Sequence, residues 1–169
     1  MGLPHLQPAP GATTGFVFIC PGRFEAARGY PCAAGTGANL ARALVELSAV
    51  APDLFPSPSR EKYVVTNAWD RVEYPALTGR SVPTEAEVLQ ADNLSRLRDE
   101  IAQLAVVVAC GAQAHAALRQ LQATAGRPLR VAYARHLSQR AVNSIRGPAD
   151  TPGRIRAWCA ELLGQLQGG

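Results

Sequence analysis

The chain of 169 residues lacks the patterns that mark membrane, secreted and metal-binding proteins. No window approaches about eighteen uninterrupted apolar residues, the length that a membrane-spanning helix needs. The N-terminus lacks the basic-then-apolar layout of a secretory signal, so we expect a cytoplasmic protein. The four cysteines, Cys20, Cys32, Cys110 and Cys159, form no CxxC or CxxxH pair. We therefore expect free thiols, with no metal, no iron-sulfur cluster and no other cofactor.

Lysine is nearly absent, because sixteen of the seventeen basic residues are arginine and only Lys62 is lysine. Arginine suits bidentate contacts with phosphate, although GC-rich codon usage would produce the same excess. The charge is also uneven: residues 1–105 carry 9 basic and 11 acidic side chains, and residues 106–169 carry 8 basic and 2 acidic ones. The corresponding net charges, −2 and +6, indicate that the C-terminal part faces any polyanion that binds.

Short apolar runs alternate with segments of helical pattern along the chain. The runs predict buried strands at 15–20, 62–67, 105–110 and 129–134. The segments between and after them predict helices at 36–49, 84–104, 112–124 and 151–167, with Thr84 and Thr151 as N-caps. This alternation predicts an α/β protein, with a mainly parallel sheet covered on both faces and ligands beyond the carboxyl ends of its strands. Residues 15–169 are predicted to form a single domain, and the proline-rich residues 1–14 a flexible tail.

Three segments that follow predicted strands contain the residues suited to chemistry. Loop 20–40 reads CPGRFEAARGYPCAAGTGANL, whose glycines allow close backbone approach to a ligand without the spacing of a nucleotide-binding fingerprint. In VVTNAWD at 64–70, Asn67 ends a strand, where it reads the edge of a flipped base or serves as a turn residue. In YARHLSQRAVNSI at 133–145, His136 follows the last strand, where a neutral imidazole can donate to a departing base oxygen unless it is a functionless surface residue.

Together these segments resemble the ordered motifs of the uracil-DNA glycosylase superfamily, over about residues 15–165. Loop 20–40 is similar to the first motif of the thermophile-type family, PGxxEDxxGxPFxGxxGxLL. The matching residues are Pro21, Gly22, Glu25, Gly29, Pro31, Gly37 and Leu40. The TN dipeptide ending at Asn67 resembles the pair that supplies the base-recognising Asn. HLS at 136–138 resembles the usual HPS motif through His136 and Ser138, with Leu in place of Pro.

Two departures from the family pattern bear on the chemistry. Ile19 stands where many relatives have an acid that positions or activates the attacking water, as in a subfamily that works without this carboxylate. Glu25 is the nearest alternative acid, at a family position that is usually structural. Cys32 stands where a Phe usually stacks on the base, so Phe24 or Tyr30 supplies the platform or the pocket is enlarged for a bulkier base.

The resemblance implies a three-layer α/β/α fold with a central four-stranded, mainly parallel sheet. It implies a DNA glycosylase that hydrolyses the N-glycosidic bond of a flipped-out uracil or modified pyrimidine and leaves an abasic site. The implied catalytic residues are His136, Asn67 and Glu25. The implied base pocket consists of Cys20, Pro21, Gly22, Phe24, Tyr30, Cys32 and Asn67. The implied DNA-binding residues are Ser138, Arg140, Asn143, Ser144 and Arg146, in a segment that also fits a solvated helix start.

Other functions stay open at this point. One alternative within the enzyme class is a protein that excises a bulky modified base from foreign DNA as a defence function. An alternative from another class is a non-catalytic module that binds DNA or a base, having kept the pocket and lost the acid. A generic flavodoxin-like nucleotide binder leaves Asn67 and His136 without roles. We expect a monomer that binds DNA and does not bind a membrane. His115 is predicted to be a helix residue and not a ligand.

Overall fold

The structure, a computed structural model, describes residues 2–168. The strands are β1 (Thr14–Phe18), β2 (Val64–Asn67), β3 (Val106–Cys110) and β4 (Arg130–Ala134). The helices are α1 (Arg23–Arg28), α2 (Gly35–Val50), α3 (Pro75–Thr78), α4 (Glu85–Val88), α5 (Ala91–Glu100), α6 (Ala112–Thr124), α7 (Gln139–Asn143) and α8 (Thr151–Gln167). A 3₁₀ helix, Arg60–Lys62, precedes β2.

The four strands form one parallel sheet in the order β2-β1-β3-β4. Its strands are rich in Val and Phe, and both faces are buried because helices cover them. One face packs on α2 and α8 around Phe16, Phe18 and Leu44. The other packs on α5 and α6 around Val17, Val107 and Leu118. The prediction of a three-layer α/β/α fold with a four-stranded parallel sheet is confirmed.

Most predicted helices lie where the pattern placed them, but the helix predicted over 84–104 is wrong as a single element. It is divided into α4 and α5, because Gln90 is extended (φ −59°, ψ 141°). The Asn93 side chain donates to the carbonyl of Val88 at 2.7 Å and stabilises the break. Thr84 caps α4 as predicted. The N-cap of α8 is Asp150 and not Thr151, since the Asp150 carboxylate accepts from the Gly153 amide.

The N-terminal segment, predicted as a flexible tail, lies along the sheet in this structure. Gln7 pairs with Val65 of β2 through two backbone hydrogen bonds of 2.8 and 3.0 Å. The side chain of Gln103 donates to the carbonyls of Ala9 and Ala12 at 2.9 Å. The prolines interrupt any strand pattern, and these bonds join residues far apart in the chain, so a local pattern does not predict them.

The opposite edge of the sheet is covered by a side chain. Gln165 of α8 donates to the carbonyl of Tyr133 at 2.9 Å and accepts from its amide at 2.8 Å. The side chain thereby makes the two hydrogen bonds that a neighbouring strand would make. Edge strands with unpaired backbone groups tend to recruit other strands, and this arrangement blocks that pairing at the middle of β4.

None of the helices within residues 2–168 has the length and apolar character that crossing a membrane requires. The thiols of Cys32, Cys110 and Cys159 are buried and that of Cys20 is half-buried, all four unpaired. In the same part of the chain, no three His, Cys, Asp or Glu side chains meet as metal ligands do.

Leu137 is fully buried between the sheet and its covering helices. We expect Leu137→Ala to lower the free energy of unfolding by about 2–5 kcal/mol, because the lost side chain leaves a cavity. Val45→Ala, at a position of α2 that is 61 % exposed, is the control, with an expected change within about 0.5 kcal/mol. Chemical denaturation measures both. Equal effects of the two substitutions would contradict the buried position of Leu137.

Candidate functional site

The loops that follow the strands meet at the carboxyl edge of the sheet. The Glu73 amide, after β2, donates to the carbonyl of Pro21, after β1, at 2.9 Å. Phe18 and Asn67 are register partners in β1 and β2, so their side chains lie on the same face of the sheet. The Phe18 ring meets the His136 ring edge to face, with centroids 5.5 Å apart. The structure thus places two predicted catalytic residues, Asn67 and His136, on either side of Phe18.

His136 is held in one tautomer. Its Nδ1 accepts a hydrogen bond from the Ser138 amide at 2.9 Å, so the proton of the neutral ring lies on Nε2. Burial lowers the pKa of His136 to about 4, and the carboxylate of Glu25 opposes this shift only in part. Near neutral pH the side chain is therefore an uncharged hydrogen-bond donor through Nε2.

A buried asparagine anchors the loop that contains His136. Asn39 of α2 is fully buried, and its Nδ2 donates to the backbone carbonyl of Leu137 at 2.9 Å. Leu137 fills the core with its side chain. Burial of Leu137 and the hydrogen bond from Asn39 thus help to restrain this loop. Sequence reasoning missed Asn39, although a polar residue among the apolar positions of α2 was a usable signal.

Asn67 is 2 % exposed, and its carboxamide is bonded to the N-terminal segment. Its Nδ2 donates to the backbone carbonyl of His5 at 3.2 Å. The Asn67 backbone carbonyl accepts from the guanidinium of Arg96 at 3.0 Å. The residue predicted to read the base is therefore held through its backbone by α5 and through its side chain by the N-terminal segment.

Glu25 has backbone donors on both carboxylate oxygens. Oε2 accepts from the Gly22 amide at 3.0 Å, and Oε1 accepts from the Ala33 amide at 3.1 Å. These bonds join the two halves of loop 20–40 and agree with a structural role at this position. Action of Glu25 as an acid or base stays a prediction.

The second half of loop 20–40 adopts a constrained backbone. Cys32 has φ 52°, in the left-handed region that few non-glycine residues enter. The guanidinium of Arg60 stabilises this turn by donating to the carbonyls of Pro31 and Cys32 at 2.6 and 2.9 Å. Only glycine fits at position 37, because a Cβ there would lie 2.0 Å from the Cys32 oxygen. Sequence reasoning did not identify Arg60.

The predicted pocket residues fall into separate groups. Tyr30 and Cys32 line a cleft of about 420 Å³ together with Arg60, and neither Asn67 nor His136 lines it. Phe24 is 47 % exposed and Tyr30 43 %. The guanidinium of Arg23 lies over the Phe24 ring, and that of Arg60 lies over the Tyr30 ring. Both rings are thus partly open to solvent and carry a cation on one face.

The thiols of Cys20 and Cys32, both predicted to line the base pocket, are protonated near neutral pH. Burial raises the pKa of Cys20 to about 12, with smaller contributions from nearby Glu73 and Glu25. Burial likewise raises the pKa of Cys32 to about 12. Because the thiolate is the nucleophilic form, neither cysteine is suited to covalent catalysis.

A carboxylate that sequence reasoning missed lies beside this loop. Glu73 is buried, accepts from the Trp69 indole at 3.1 Å and is paired with Arg80 at 2.6 Å. Hydrogen bonds from Arg80 lower the pKa of Glu73 to about 2. The group stays ionised and cannot exchange a proton near pH 7. The carboxylate joins Trp69 to Arg80 within the segment after β2, and the backbone amide of Glu73 joins that segment to Pro21 in the loop after β1.

The predicted DNA-binding residues lie on α7 and the turn after it. Ser138 is the N-cap of α7, its Oγ accepting from the Ala141 amide at 3.3 Å. Ser144 Oγ donates to the Ala141 carbonyl at 2.6 Å, and Asn143 accepts from Gln139.

The two arginines of that segment, Arg140 and Arg146, are exposed. His115 lies in α6 and is within 2.7 Å of the Ala134 carbonyl. Because that carbonyl only accepts, His115 donates from Nε2, as suits a helix residue packed on the sheet.

The chain matches no protein-family model, and a search of the curated proteins also finds no match. The geometry of His136, Asn67 and loop 20–40 is therefore the basis on which a function can be proposed.

The pKa of His136 has a measurable consequence. We expect its ring to titrate near pH 4, not near 6.5, in an NMR titration. Because the unfolded chain binds the proton more tightly, the stability that neutral His136 contributes is present above about pH 6.5 and is lost as the pH falls towards 4. His136→Gln should remove this part of the pH dependence. A midpoint near 6.5 would contradict the burial of the ring.

Proposed function

We propose that the protein is a DNA glycosylase of the uracil-DNA glycosylase superfamily, which hydrolyses the N-glycosidic bond of a flipped-out uracil or modified pyrimidine. The observation that carries this proposal is the state of His136. It is neutral, its Nδ1 is occupied by the Ser138 amide, and its Nε2–H has no hydrogen-bond acceptor among residues 2–168. The residue lies at the carboxyl edge of the sheet, after β4. Ligands bind at this edge in parallel α/β sheets.

In the proposed reaction the C1′–N bond breaks, and its electron pair leaves with the base. Negative charge then develops on the base oxygen, and the Nε2–H of His136 donates to that oxygen. Such a preorganised donor in a partly buried site contributes about a hundredfold or more to the rate. Water adds to C1′ and releases a proton, which gives the free base and an abasic site.

Recognition of the base is assigned to Asn67 and loop 20–40. The carboxamide has both donor and acceptor atoms, which the Watson-Crick edge of a base requires. Glu25 and Arg60 hold the loop in shape through its backbone amides and carbonyls. A shaped loop and a fixed amide at the same edge of the sheet suit selection of a base that has left the helix stack.

Ile19 offers no carboxylate to the attacking water, and Glu25 is occupied by two amides. The proposed enzyme therefore relies on stabilising the departing base. Uracil is the simplest substrate. A bulky modified pyrimidine in foreign DNA, excised as a defence, is supported by Cys32 in place of the larger Phe.

The covered sheet edges support a monomer, and we propose that it acts on DNA in the cytoplasm.

A second candidate function is favoured by Glu25, because both of its carboxylate oxygens already accept hydrogen bonds from backbone amides. In it the protein binds DNA or a flipped base without cutting, because no carboxylate activates the water. The two candidates differ in whether abasic sites form.

Incubation with oligonucleotides that contain uracil, hypoxanthine or bulky modified cytosines, followed by alkali and a gel, tests the enzyme. We expect strand breaks at uracil, whereas breaks only at a bulky modified cytosine would favour the defence function. His136→Ala should reduce the rate about a hundredfold or more. Val45→Ala should cut at the wild-type rate. If the protein binds the oligonucleotides but forms no abasic sites, the non-catalytic binding function would replace the enzymatic one. If His136→Ala keeps full activity, the role assigned to His136 is wrong.

The basic segment after His136 is proposed to follow the DNA backbone. The double substitution Arg140→Ala and Arg146→Ala should weaken binding and reduce the slope of log K against log salt by about two. Arg98→Ala is the control. Arg98 lines a cleft together with Leu129. Because Leu129 precedes β4, this cleft lies at the opposite end of the sheet from the segment after His136. Equal salt slopes for wild type and double variant would place the DNA elsewhere.

A further inference from the structure

The N-terminal segment reaches the predicted base-reading residue. Gln7 stands opposite Val65 in antiparallel register, which places His5 opposite Asn67 two residues further on. At that position the Asn67 side chain makes the hydrogen bond, since its Nδ2 donates to the His5 carbonyl at 3.2 Å. The segment therefore contacts the carboxamide itself.

This contact selects one orientation of the carboxamide. A backbone carbonyl only accepts hydrogen bonds, so the NH₂ group of Asn67 must face His5. Rotating the amide by half a turn would place Oδ1 against the carbonyl oxygen and replace a hydrogen bond by repulsion. Oδ1 and the second N–H then remain for another partner.

Oδ1 of Asn67 keeps a small solvent exposure in a residue that is 2 % exposed overall. Within residues 2–168, every fully buried side-chain nitrogen or oxygen has a hydrogen-bond partner. The partner of the Asn67 carboxamide there is the His5 carbonyl, which occupies Nδ2. Oδ1 accepts no bond from the described residues, and it is therefore not fully buried.

The side chains of His5 and Gln7 hold the N-terminal segment beside β2. The His5 imidazole lies 3.0 Å from the carboxylate of Glu100, which also accepts from Arg96 at 2.6 Å. Gln7 Nε2 donates to the carbonyl of Arg60 at 2.8 Å, and the Arg60 guanidinium donates back to Gln7 at 3.0 Å. These bonds hold the His5 carbonyl in place.

We propose that His5 is a positioning residue for base selection, which rests on the proposed function of the site. With its amide orientation held, Asn67 offers Oδ1 to a ring N–H and its free N–H to an adjacent carbonyl. Uracil has this edge, with N3–H beside O4. Cytosine has the reverse, an N3 acceptor beside an amino donor, and matches only the rotated carboxamide. The N-terminal segment thus selects keto pyrimidines over amino pyrimidines.

The test compares His5→Ala, which removes the anchor on Glu100, with His5→Gln, which keeps a donor for that carboxylate. Leu3→Ala is the matched control, because Leu3 is in the same segment and 53 % exposed. Single-turnover excision and binding are measured on oligonucleotides with one uracil or one unpaired cytosine. NMR of the Asn67 side-chain amide reports the bond to His5, and thermal unfolding confirms that each variant is folded.

We expect His5→Ala to lose protection of the Asn67 amide proton and to lower the uracil-to-cytosine ratio about tenfold, the effect of one mispaired buried hydrogen bond. His5→Gln should restore both, and Leu3→Ala should change neither. A wild-type ratio in a folded His5→Ala variant without amide protection would overturn the inference alone. A wild-type protein that neither binds nor cuts the uracil oligonucleotide would overturn the proposed function as well.

If His5→Ala does not fold, or if it folds and keeps the protection of the Asn67 amide, the chain shortened to begin at Pro8 replaces it. That variant lacks the His5 carbonyl altogether, so the same loss of amide protection and the same tenfold fall in ratio are expected. An unchanged ratio in the shortened chain would again overturn the inference.

Discussion

The hydrogen bond from Asn39 to the carbonyl of Leu137 is the contact on which the arrangement of the candidate site depends. It lies in an apolar core, where a carbonyl without a partner would cost about 1–3 kcal/mol. The bond and the buried Leu137 side chain place the loop after β4 against α2. His136, one residue earlier, is then confined between Phe18 and the Ser138 amide. Its tautomer and its neutral charge follow from that confinement.

Hydrogen bonds to the backbone, more than contacts between side chains, give the loop after β1 its shape. Glu25 accepts from two amides, and Arg60 donates to two carbonyls of the same loop. A charged partner strengthens such bonds, and one side chain that binds two backbone groups restricts many dihedral angles. The left-handed Cys32 is held by this arrangement. The loop is therefore preorganised, and a ligand that enters it does not have to order it.

Features set by local pattern could be predicted from the sequence, and features set by distant contacts could not. The strands and α6 and α8 were predictable because apolar periodicity and caps are local signals. The order of strands along the chain also placed Asn67 and His136 at one edge of the sheet. The break between α4 and α5 was not predictable, because it depends on Asn93 binding carbonyls of both Val88 and Ala68. The pairing of Glu73 with Arg80 and of Asn67 with His5 likewise requires the fold.

The side chain of Gln165 has a consequence for how the molecule meets others of its kind. It occupies the amide and carbonyl of Tyr133 from the last turn of α8, and Arg130 at the start of β4 donates to the carbonyl of Leu166 in the same turn. Helix ends fray more readily than strands inside a sheet separate. Exposure of the β4 edge is therefore governed by the end of a helix. Access of another strand to the β4 edge is thus set by the last turn of α8 and not by the composition of the strand.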